Sequence, residues 1–239
     1  MGYRLDIQGL RALAVIFVFL FHLNHNFLPG GFIGVDIFFV VSGFLISSIT
    51  LHKLKKNEFS FTDFYTKRIK RIVPAYYFML AIVMLLGAWV FIPSDLGKFK
   101  SSVLQTLLFN SNNYFASLDD YFGAKSTEFP LLHTWSLAIE MQFYLLLPIF
   151  LFLIKRKFLL PVIMILIFTL SIYAQLNIAQ WNNKQSMYFS LIARIPEFLT
   201  GTVFAILIQQ KFLKSLINHS TSLALIGFFA ILLSAIIIN

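Results

Sequence analysis

Two ionisable side chains lie in an apolar segment near the start of the chain, where each is costly unless it is paired or hydrated. Arg11 and His22 are eleven residues apart, so on a helix they lie within about 20° of the same face. Histidine can act as a general base near neutral pH, and arginine binds anions. The spacing therefore predicts a base and an anion-binding group on one stripe. The structural alternative is an arginine that reaches the membrane interface and a histidine hydrogen-bonded between helices.

A carboxylate, Asp36, follows shortly after the turn Pro29-Gly30-Gly31. Because this turn is short, the apolar segments on either side of it must be neighbours, and we expect Asp36 at a depth similar to that of His22. A carboxylate in that position could orient an imidazole and stabilise its charge. Alternatively, Asp36 only caps the start of the second helix.

Polar side chains also mark a later apolar segment that opens with His133. Glu140 follows seven residues after His133, and Tyr144 four residues after Glu140, which places all three on one helix face. Trp135 and Ser136 stand beside them and, like Tyr144, could polarise a carbonyl group. The pattern predicts a polar seam that contacts a substrate. Hydrogen bonds that only hold helices together are an equally good interpretation.

Two further groups of charged residues could bind a polar ligand. Arg194 and Glu197 are three residues apart and can pair on one helix face, so self-compensation is the simplest interpretation and ligand contact the functional one. Lys67, Arg68 and Arg71 belong to a basic cluster. Such a cluster anchors a membrane protein to anionic lipid, or it clamps phosphate groups.

These residues stand in a chain whose composition excludes a soluble domain. Its 239 residues are 59% hydrophobic and only 12% charged, with a mean hydropathy of +0.81, whereas soluble domains have about 25% charged residues. The absence of cysteine excludes disulfide scaffolds, thiolate metal sites and cysteine nucleophiles. Apolar runs of roughly 20 residues predict seven transmembrane helices, at about 10–28, 32–51, 73–92, 132–154, 158–176, 187–209 and 220–238. The predicted fold is all-α, a polytopic transmembrane helix bundle.

The distribution of charge predicts the orientation of this bundle. A cytoplasmic N-terminus places 14 of the 19 Lys and Arg residues on the cytoplasmic side, as the positive-inside rule requires. The segment 94–131 must then cross the membrane an even number of times. Because its apolar part, near 102–118, is short and rich in asparagine, we expect a re-entrant or interfacial segment, or a short helix pair, that walls a polar cavity.

Five stretches of the sequence form a specific set. In chain order they are YRLDIQGLRA at 3–12 with His22 after it, PGGFIGVDIFFVVSGFLI at 29–46, FYTKRIKRIVP at 64–74, HTWSLAIEMQFY at 133–144 and RIPEFLTG at 194–201. The set resembles the bacterial acyltransferase-3 family, which consists of integral-membrane O-acyltransferases of the O-antigen acetylase type. The resemblance covers residues 3–201.

The resemblance implies transfer of an acyl group, usually acetyl, from cytoplasmic acyl-CoA to a hydroxyl of a cell-envelope polysaccharide, such as lipopolysaccharide O-antigen, or of a lipid-linked glycan. It implies that the catalytic residues are His22, Asp36 and Arg11. It assigns acyl-CoA binding to Lys67, Arg68 and Arg71. The expected polar core consists of His133, Trp135, Ser136, Glu140, Tyr144, Arg194 and Glu197.

The resemblance also implies a location and partners. The protein is expected in the bacterial inner membrane with a cytoplasmic N-terminus, using acetyl-CoA or another acyl-CoA as donor substrate, without a permanently bound cofactor, a metal or a nucleic-acid partner. Residues 1–239 would form a family domain that is incomplete at its C-terminal end and lacks an SGNH domain, which a separate partner protein could supply. Two alternatives remain: a membrane carrier of a proton, small anion or acyl group through the same polar seam, and an inactive truncated family member.

Overall fold

The computed structural model describes residues 4–24, 26–118, 129–181, 183–210 and 220–237. Over these residues the secondary structure is helical and includes no strand, which confirms the predicted all-α class. The helices are α1 (Leu5–Leu23), α2 (Ile33–Lys55), α3 (Phe61–Val90), α4 (Pro93–Leu107), α5 (Ser111–Ala116), α6 (Thr134–Leu153), α7 (Arg156–Trp181), α8 (Lys184–Phe189), α9 (Leu191–Gln209) and α10 (Ser220–Ile237).

Among the described residues, six helices are long and apolar enough to cross a membrane: α1, α2, α3, α6, α7 and α9. They correspond to six of the seven predicted spans. The seventh predicted span is also an apolar helix, but Thr221–Ile237 is shorter than the other six. The protein is therefore a multi-pass membrane protein by the length and composition of its helices.

Several helix ends differ from the predicted bounds by about five residues, and the largest difference affects the basic cluster. The third span was expected to begin at 73, but α3 begins at Phe61 and runs for 30 residues. Its N-terminus is capped by the Ser60 side chain, which accepts a hydrogen bond from the Asp63 backbone N–H at 3.3 Å. The helix therefore continues through Lys67–Arg71, because the cap and the helix-forming Lys and Arg residues outweigh the low hydropathy of this stretch.

The described residues divide into two compact units. The first unit contains the described parts of 1–52, 156–163 and 197–239, and the second contains those of 53–155 and 164–196. Each unit is described separately below.

In the first unit, α1 and the start of α2 are in direct contact, as the short turn between them predicts. A Cβ atom added to Gly34 would collide with the Ala14 carbonyl oxygen, and one added to Gly31 would collide with the Phe17 carbonyl oxygen. The backbones can approach this closely only because both positions lack a side chain. The C-terminal helix α10 adds to this corner, because the Gly30 N–H donates to the Ala235 carbonyl oxygen at 2.9 Å.

The helices α2 and α9 cross through a reciprocal pair of glycines in the same unit. A Cβ atom on Gly43 would collide with the Phe198 carbonyl oxygen, and one on Gly201 would collide with the Val40 carbonyl oxygen. Near the crossing, the hydroxyls of Ser47 and Thr202 are hydrogen-bonded at 2.8 Å. Small residues and a buried hydroxyl pair are what transmembrane helices use to pack closely without a hydrophobic driving force.

In the second unit, α3 and α6 are antiparallel neighbours. The Tyr65 hydroxyl donates to the Leu145 carbonyl oxygen at 2.8 Å, near the N-terminus of α3 and the C-terminal half of α6. Pro148 lies three residues further along α6 and has no N–H to donate to the Tyr144 carbonyl oxygen four residues before it. The hydrogen bond from Tyr65 thus holds α3 against α6 beside the turn that the proline weakens.

Between α3 and α6, the described residues up to 118 form a helix pair, α4 and α5, as one of the sequence interpretations predicts. At the end of α4, the Tyr76 hydroxyl donates to the Thr106 carbonyl oxygen at 2.9 Å and the Tyr77 hydroxyl to the Leu107 carbonyl oxygen at 3.1 Å. Tyr76 lies 14 residues before the end of α3, which is about 21 Å along the helix. The helix α4 thus runs back beside α3 to its middle, and α5 follows there.

Candidate functional site

The basic cluster at the start of α3 is divided between two faces of the helix. Lys67 and Arg71 are exposed, one turn apart, and the Lys67 ammonium lies 2.8 Å from a carboxylate oxygen of Asp63. The same carboxylate accepts from the Lys53 ammonium at 2.5 Å. Arg68 is half-buried on the neighbouring face. Arg68 therefore differs from the other two predicted acyl-CoA ligands in its burial.

Arg68 is enclosed by aromatic rings. Its guanidinium carbon lies 5.7 Å from the centre of the Phe64 ring and 5.8 Å from that of the Tyr144 ring, within the range of cation–π attraction. Its Nε–H is buried and has no hydrogen-bond partner within the described residues. A buried donor without a partner costs about 1–3 kcal/mol. This geometry gives the site a fixed cation with a donor available for an oxygen acceptor.

Two of the predicted polar residues on α6 meet at this cation. The Tyr144 hydroxyl donates to the Glu140 Oε1 one turn before it, and the Tyr144 ring is 7% exposed. The ring that faces Arg68 is therefore held in place by a carboxylate. The sequence analysis placed Arg68 in the acyl-CoA group and Glu140 and Tyr144 in the polar core; the structure brings a member of the first group into contact with the second.

The N-terminal end of α6 forms a second polar region in the same unit. His133 is exposed at the N-cap position, and the Ser136 hydroxyl donates back to the His133 carbonyl oxygen at 3.4 Å. Trp135 is buried between the rings of Tyr188 and Phe189, with centroid distances of 4.9 and 5.1 Å. Tryptophan thus packs the end of α6 against α8, and His133 and Ser136 stand on either side of it.

Arg194 reaches the same region from α9. Its Nε–H donates to the Tyr188 carbonyl oxygen at 3.0 Å, and its guanidinium carbon lies 4.6 Å from the centre of the Tyr188 ring. Trp135 and Arg194 are therefore both packed on Tyr188, a residue that the sequence analysis did not select. Glu197 is half-buried on α9 but belongs to the first unit, and its pairing with Arg194 stays a prediction.

The first unit holds the predicted catalytic residues. The Nδ1 of His22 lies 2.8 Å from the Val18 carbonyl oxygen. Since a carbonyl oxygen can only accept, Nδ1 carries the proton and the lone pair of the neutral ring is on Nε2. Asp36 stands in the first turn of α2, two residues after the glycine that contacts α1, and is half-buried like Arg11. The packing of α1 on α2 thus brings together the two helices that carry these three residues; contact between His22 and Asp36 stays a prediction.

A buried polar layer beside the middle of α3 was missed by the sequence analysis. The Gln142 side-chain amide donates to the Asn112 Oδ1 at 2.8 Å and to the Phe109 carbonyl oxygen at 2.9 Å, and the Asn112 amide donates to the Phe189 carbonyl oxygen at 3.1 Å. The Thr134 hydroxyl lies 3.0 Å from the Ser111 hydroxyl. These bonds tie the turn after α4, α5, α6 and α8 together. The only sequence signal for them is the asparagine-rich stretch 110–113.

Comparisons with known proteins agree with the resemblance. A family model described as an acyltransferase domain matches residues 4–239. An uncharacterised protein of Haemophilus influenzae is 36% identical over 180 residues, which are 72% of this chain and 74% of that protein. O-acetyltransferase OatA of Staphylococcus aureus is 32% identical over 97% of this chain and 40% of its own length. Peptidoglycan O-acetyltransferase OatA of Listeria monocytogenes is 36% identical over 84% of this chain and 33% of its own length.

The chain therefore spans at most two-fifths of the length of these two named relatives. No solved structure matches it significantly.

Proposed function

Because the chain belongs to the acyltransferase family whose domain matches residues 4–239, we propose that it is a membrane-embedded O-acyltransferase. It transfers an acyl group, in the simplest case acetyl, from cytoplasmic acyl-CoA to a hydroxyl of a cell-envelope glycan. The N-terminus and the basic end of α3 face the cytoplasm, and the membrane is the bacterial inner membrane. The excess of basic residues at one end of the spans supports this orientation.

The buried Nε–H of Arg68 is the observation that carries the proposal. A phosphate or carbonyl oxygen of acyl-CoA would accept a hydrogen bond from this donor and so remove the free-energy cost of leaving it buried without a partner. Phe64 and Tyr144 supply rings that exclude water around the guanidinium, which strengthens its attraction for an anion. Lys67 and Arg71, exposed on the neighbouring face, add long-range attraction for the coenzyme's phosphates.

His22 acts as the general base in the proposed reaction. Its Nε2 accepts the proton of the acceptor hydroxyl, whose oxygen attacks the acyl carbonyl carbon. The carbon–sulfur bond then breaks, the acyl group becomes an ester on the glycan, and coenzyme A leaves as a thiolate. The thiolate takes up a proton from water and the imidazolium of His22 releases its proton to water, so that no net proton is gained or lost. Asp36 stabilises the positive charge of the protonated imidazole, and Arg11 stabilises the negative charge that develops on the acyl oxygen.

The named relatives favour one acceptor over the others. The Listeria relative is called a peptidoglycan O-acetyltransferase, so peptidoglycan or a lipid-linked precursor of it is the acceptor that we propose. Lipopolysaccharide O-antigen, which the sequence motifs also allow, is the next acceptor to examine. A separate SGNH-type protein is a further partner in this proposal.

The test is acetyl transfer by the purified full chain in lipid nanodiscs, where both membrane faces are accessible. With acetyl-CoA labelled in the acetyl group and soluble peptidoglycan fragments, we expect label in a base-labile ester on the glycan. His22→Ala should abolish the ester and leave acetyl-CoA binding unchanged, whereas Arg68→Ala should weaken that binding. The matched controls are His52→Ala and Lys56→Ala, which alter exposed residues.

The carrier alternative predicts a different result in the same protein. In sealed vesicles, label or protons would cross the membrane without formation of any ester, and His22→Ala would reduce that flux. Ester formation by the wild-type chain excludes the carrier as its sole activity. Binding of acetyl-CoA without ester formation on any envelope glycan would contradict the proposed enzyme and favour an inactive family member.

A further inference from the structure

A cavity of about 110 Å³ lies where α3 ends and α4 begins, away from the residues discussed so far. Its walls include three phenylalanine rings, two oppositely charged side chains and one serine: Phe91, Phe99, Phe129, Asp95, Lys98 and Ser102. All of these belong to the second unit.

The aromatic part of the cavity is firmly built. The rings of Phe91 and Phe99 are stacked with a centroid distance of 4.7 Å and an interplanar angle of 28°. Phe99 lies directly against α3, where a Cβ atom on Gly87 would collide with its ring. The Phe129 ring packs edge-on against the buried Phe115 at 5.9 Å. These contacts fix an apolar pocket that does not need a ligand to hold its shape.

The polar part of the cavity offers one acceptor and one donor. Asp95 and Lys98 are three residues apart on α4, a spacing that allows an ion pair, but within the described part of the chain no ion pair joins them. Both side chains are exposed. The Ser102 hydroxyl is already used, because it donates to the Phe99 carbonyl oxygen at 2.7 Å. A ligand would therefore meet a carboxylate, an ammonium group and aromatic rings.

From this combination we propose that the cavity is a subsite for the acetamido group of an N-acetylated amino sugar in the acceptor glycan. The methyl group would contact the phenylalanine rings, the amide N–H would donate to Asp95, and the amide carbonyl oxygen would accept from Lys98. An engineered apolar cavity of about 150 Å³ binds benzene, so a space of this size admits the four heavy atoms of an acetamido group and leaves the sugar ring outside.

The chemistry of the walls favours this ligand over a lipid phosphate. A phosphate would be attracted by Lys98 but repelled by Asp95, and it would gain nothing from the stacked rings. A neutral amide has both hydrogen-bonding functions and an apolar end, and it therefore uses all three parts of the cavity.

The position of the cavity fits an acceptor rather than a donor. Arg68 and Val90 are 22 residues apart on α3, which is about 33 Å along the axis, comparable with the thickness of the hydrocarbon core. The assignment of the subsite to the acceptor rests on the proposed function. If Arg68 binds acyl-CoA on the cytoplasmic side, the cavity at the other end of α3 opens on the opposite side of the membrane, where the envelope glycan is.

The test is saturation-transfer NMR and a binding titration with the full chain in nanodiscs and no acyl donor. The probes are the β-1,4-linked trisaccharide of N-acetylglucosamine and that of glucose, which differ by the acetamido groups. We expect binding of the first only, with the strongest saturation at its acetyl methyl groups. Asp95→Ala and Lys98→Ala should each weaken binding about tenfold, which corresponds to about 1.4 kcal/mol.

The control variant is Gly97→Ala on the same helix, because a Cβ atom there would meet no atom within 4 Å. Equal binding of the two trisaccharides, or unchanged binding by both charge variants, would overturn the subsite. Acetamido-selective binding without acetyl transfer would leave the subsite in place and contradict the proposed enzyme. Acetyl transfer without acetamido selectivity would contradict only the subsite.

Discussion

Single residues in this protein are distinguished by the face of the helix on which they stand. Lys67 and Arg68 are adjacent, and the sequence treats them as equivalent members of one basic cluster. In the structure, Lys67 pairs with Asp63 in an exposed position, whereas Arg68 is half-buried with a donor that lacks a partner in the described chain. Adjacent residues on a helix point about 100° apart, so only one of the two can face the Tyr144 ring.

The substitution Arg68→Lys tests whether the guanidinium itself matters. Lysine keeps the charge but loses the Nε–H and the planar fork. We expect the KM for acetyl-CoA to rise about tenfold with a small change in kcat, because a charge-assisted hydrogen bond made in the bound state is lost. Steady-state kinetics of acetyl transfer measure this effect. The control is Lys67→Arg, the reverse exchange of lysine and arginine at the adjacent position, which should change KM by less than twofold. An equal effect of the two substitutions on KM would show that Arg68 has no special role in acetyl-CoA binding.

The substitution Tyr144→Phe isolates the hydrogen bond to Glu140. It keeps the ring that faces Arg68 and removes the donor of the carboxylate. Without this hydrogen bond the ring is no longer held by Glu140, and the partly buried carboxylate has one donor fewer. We therefore expect transfer activity to fall while acetyl-CoA is still bound. Isothermal titration together with an activity assay separates the two effects. Unaltered activity in Tyr144→Phe would show that the phenol only fills space.

At the scale of helices, the close crossing of α2 and α9 depends on two glycines. The variants Gly43→Ala and Gly201→Ala each place a methyl group against a backbone carbonyl oxygen of the opposite helix, which cannot move like a flexible side chain. We expect each to destabilise the protein by about 1–3 kcal/mol. Thermal unfolding in detergent measures this. Gly9→Ala and Gly227→Ala, where the new methyl group meets nothing within 4 Å, should not lower stability.

The turn after α4 contains a left-handed backbone conformation that its sequence does not predict. Phe109 has a φ of 51°, in the left-handed region that usually requires glycine or asparagine. Its ring stacks on Tyr76 at 4.5 Å and its carbonyl oxygen accepts from Gln142. The surrounding contacts therefore hold a residue that costs about 1–2 kcal/mol in this conformation.

This conformation predicts an unusual order of stability. Both Phe109→Ala and Phe109→Gly lose the ring, but only glycine also relieves the backbone. We expect the glycine variant to be more stable than the alanine variant by about 1 kcal/mol, the reverse of the order in a helix interior. Chemical denaturation of the two purified variants compares them. If alanine is the more stable, Phe109 is not strained.

The elements also show which features sequence can predict. Long apolar runs fix α1, α2, α6, α7 and α9 because burial in lipid requires about 20 apolar residues regardless of context. The start of α3 at Phe61 was missed because hydropathy does not register an N-cap such as Ser60. The layer around Asn112 and Gln142 was missed for a related reason: its hydrogen bonds join residues 30 positions apart, and no local pattern encodes such a contact.

For the whole molecule, the proposed orientation is the premise on which donor and acceptor sides depend. The chain contains no cysteine, so single cysteines can be introduced without a background signal. Lys56→Cys lies after α2, at the same end as the basic cluster, and Ser94→Cys lies in α4 near the other end of α3. In intact cells, a thiol reagent that does not cross the membrane should label Ser94→Cys, and only permeabilised or inverted membranes should allow labelling of Lys56→Cys. Labelling in the opposite order would place Arg68 on the outer side, where acyl-CoA is absent, and the proposed donor site would fail with it.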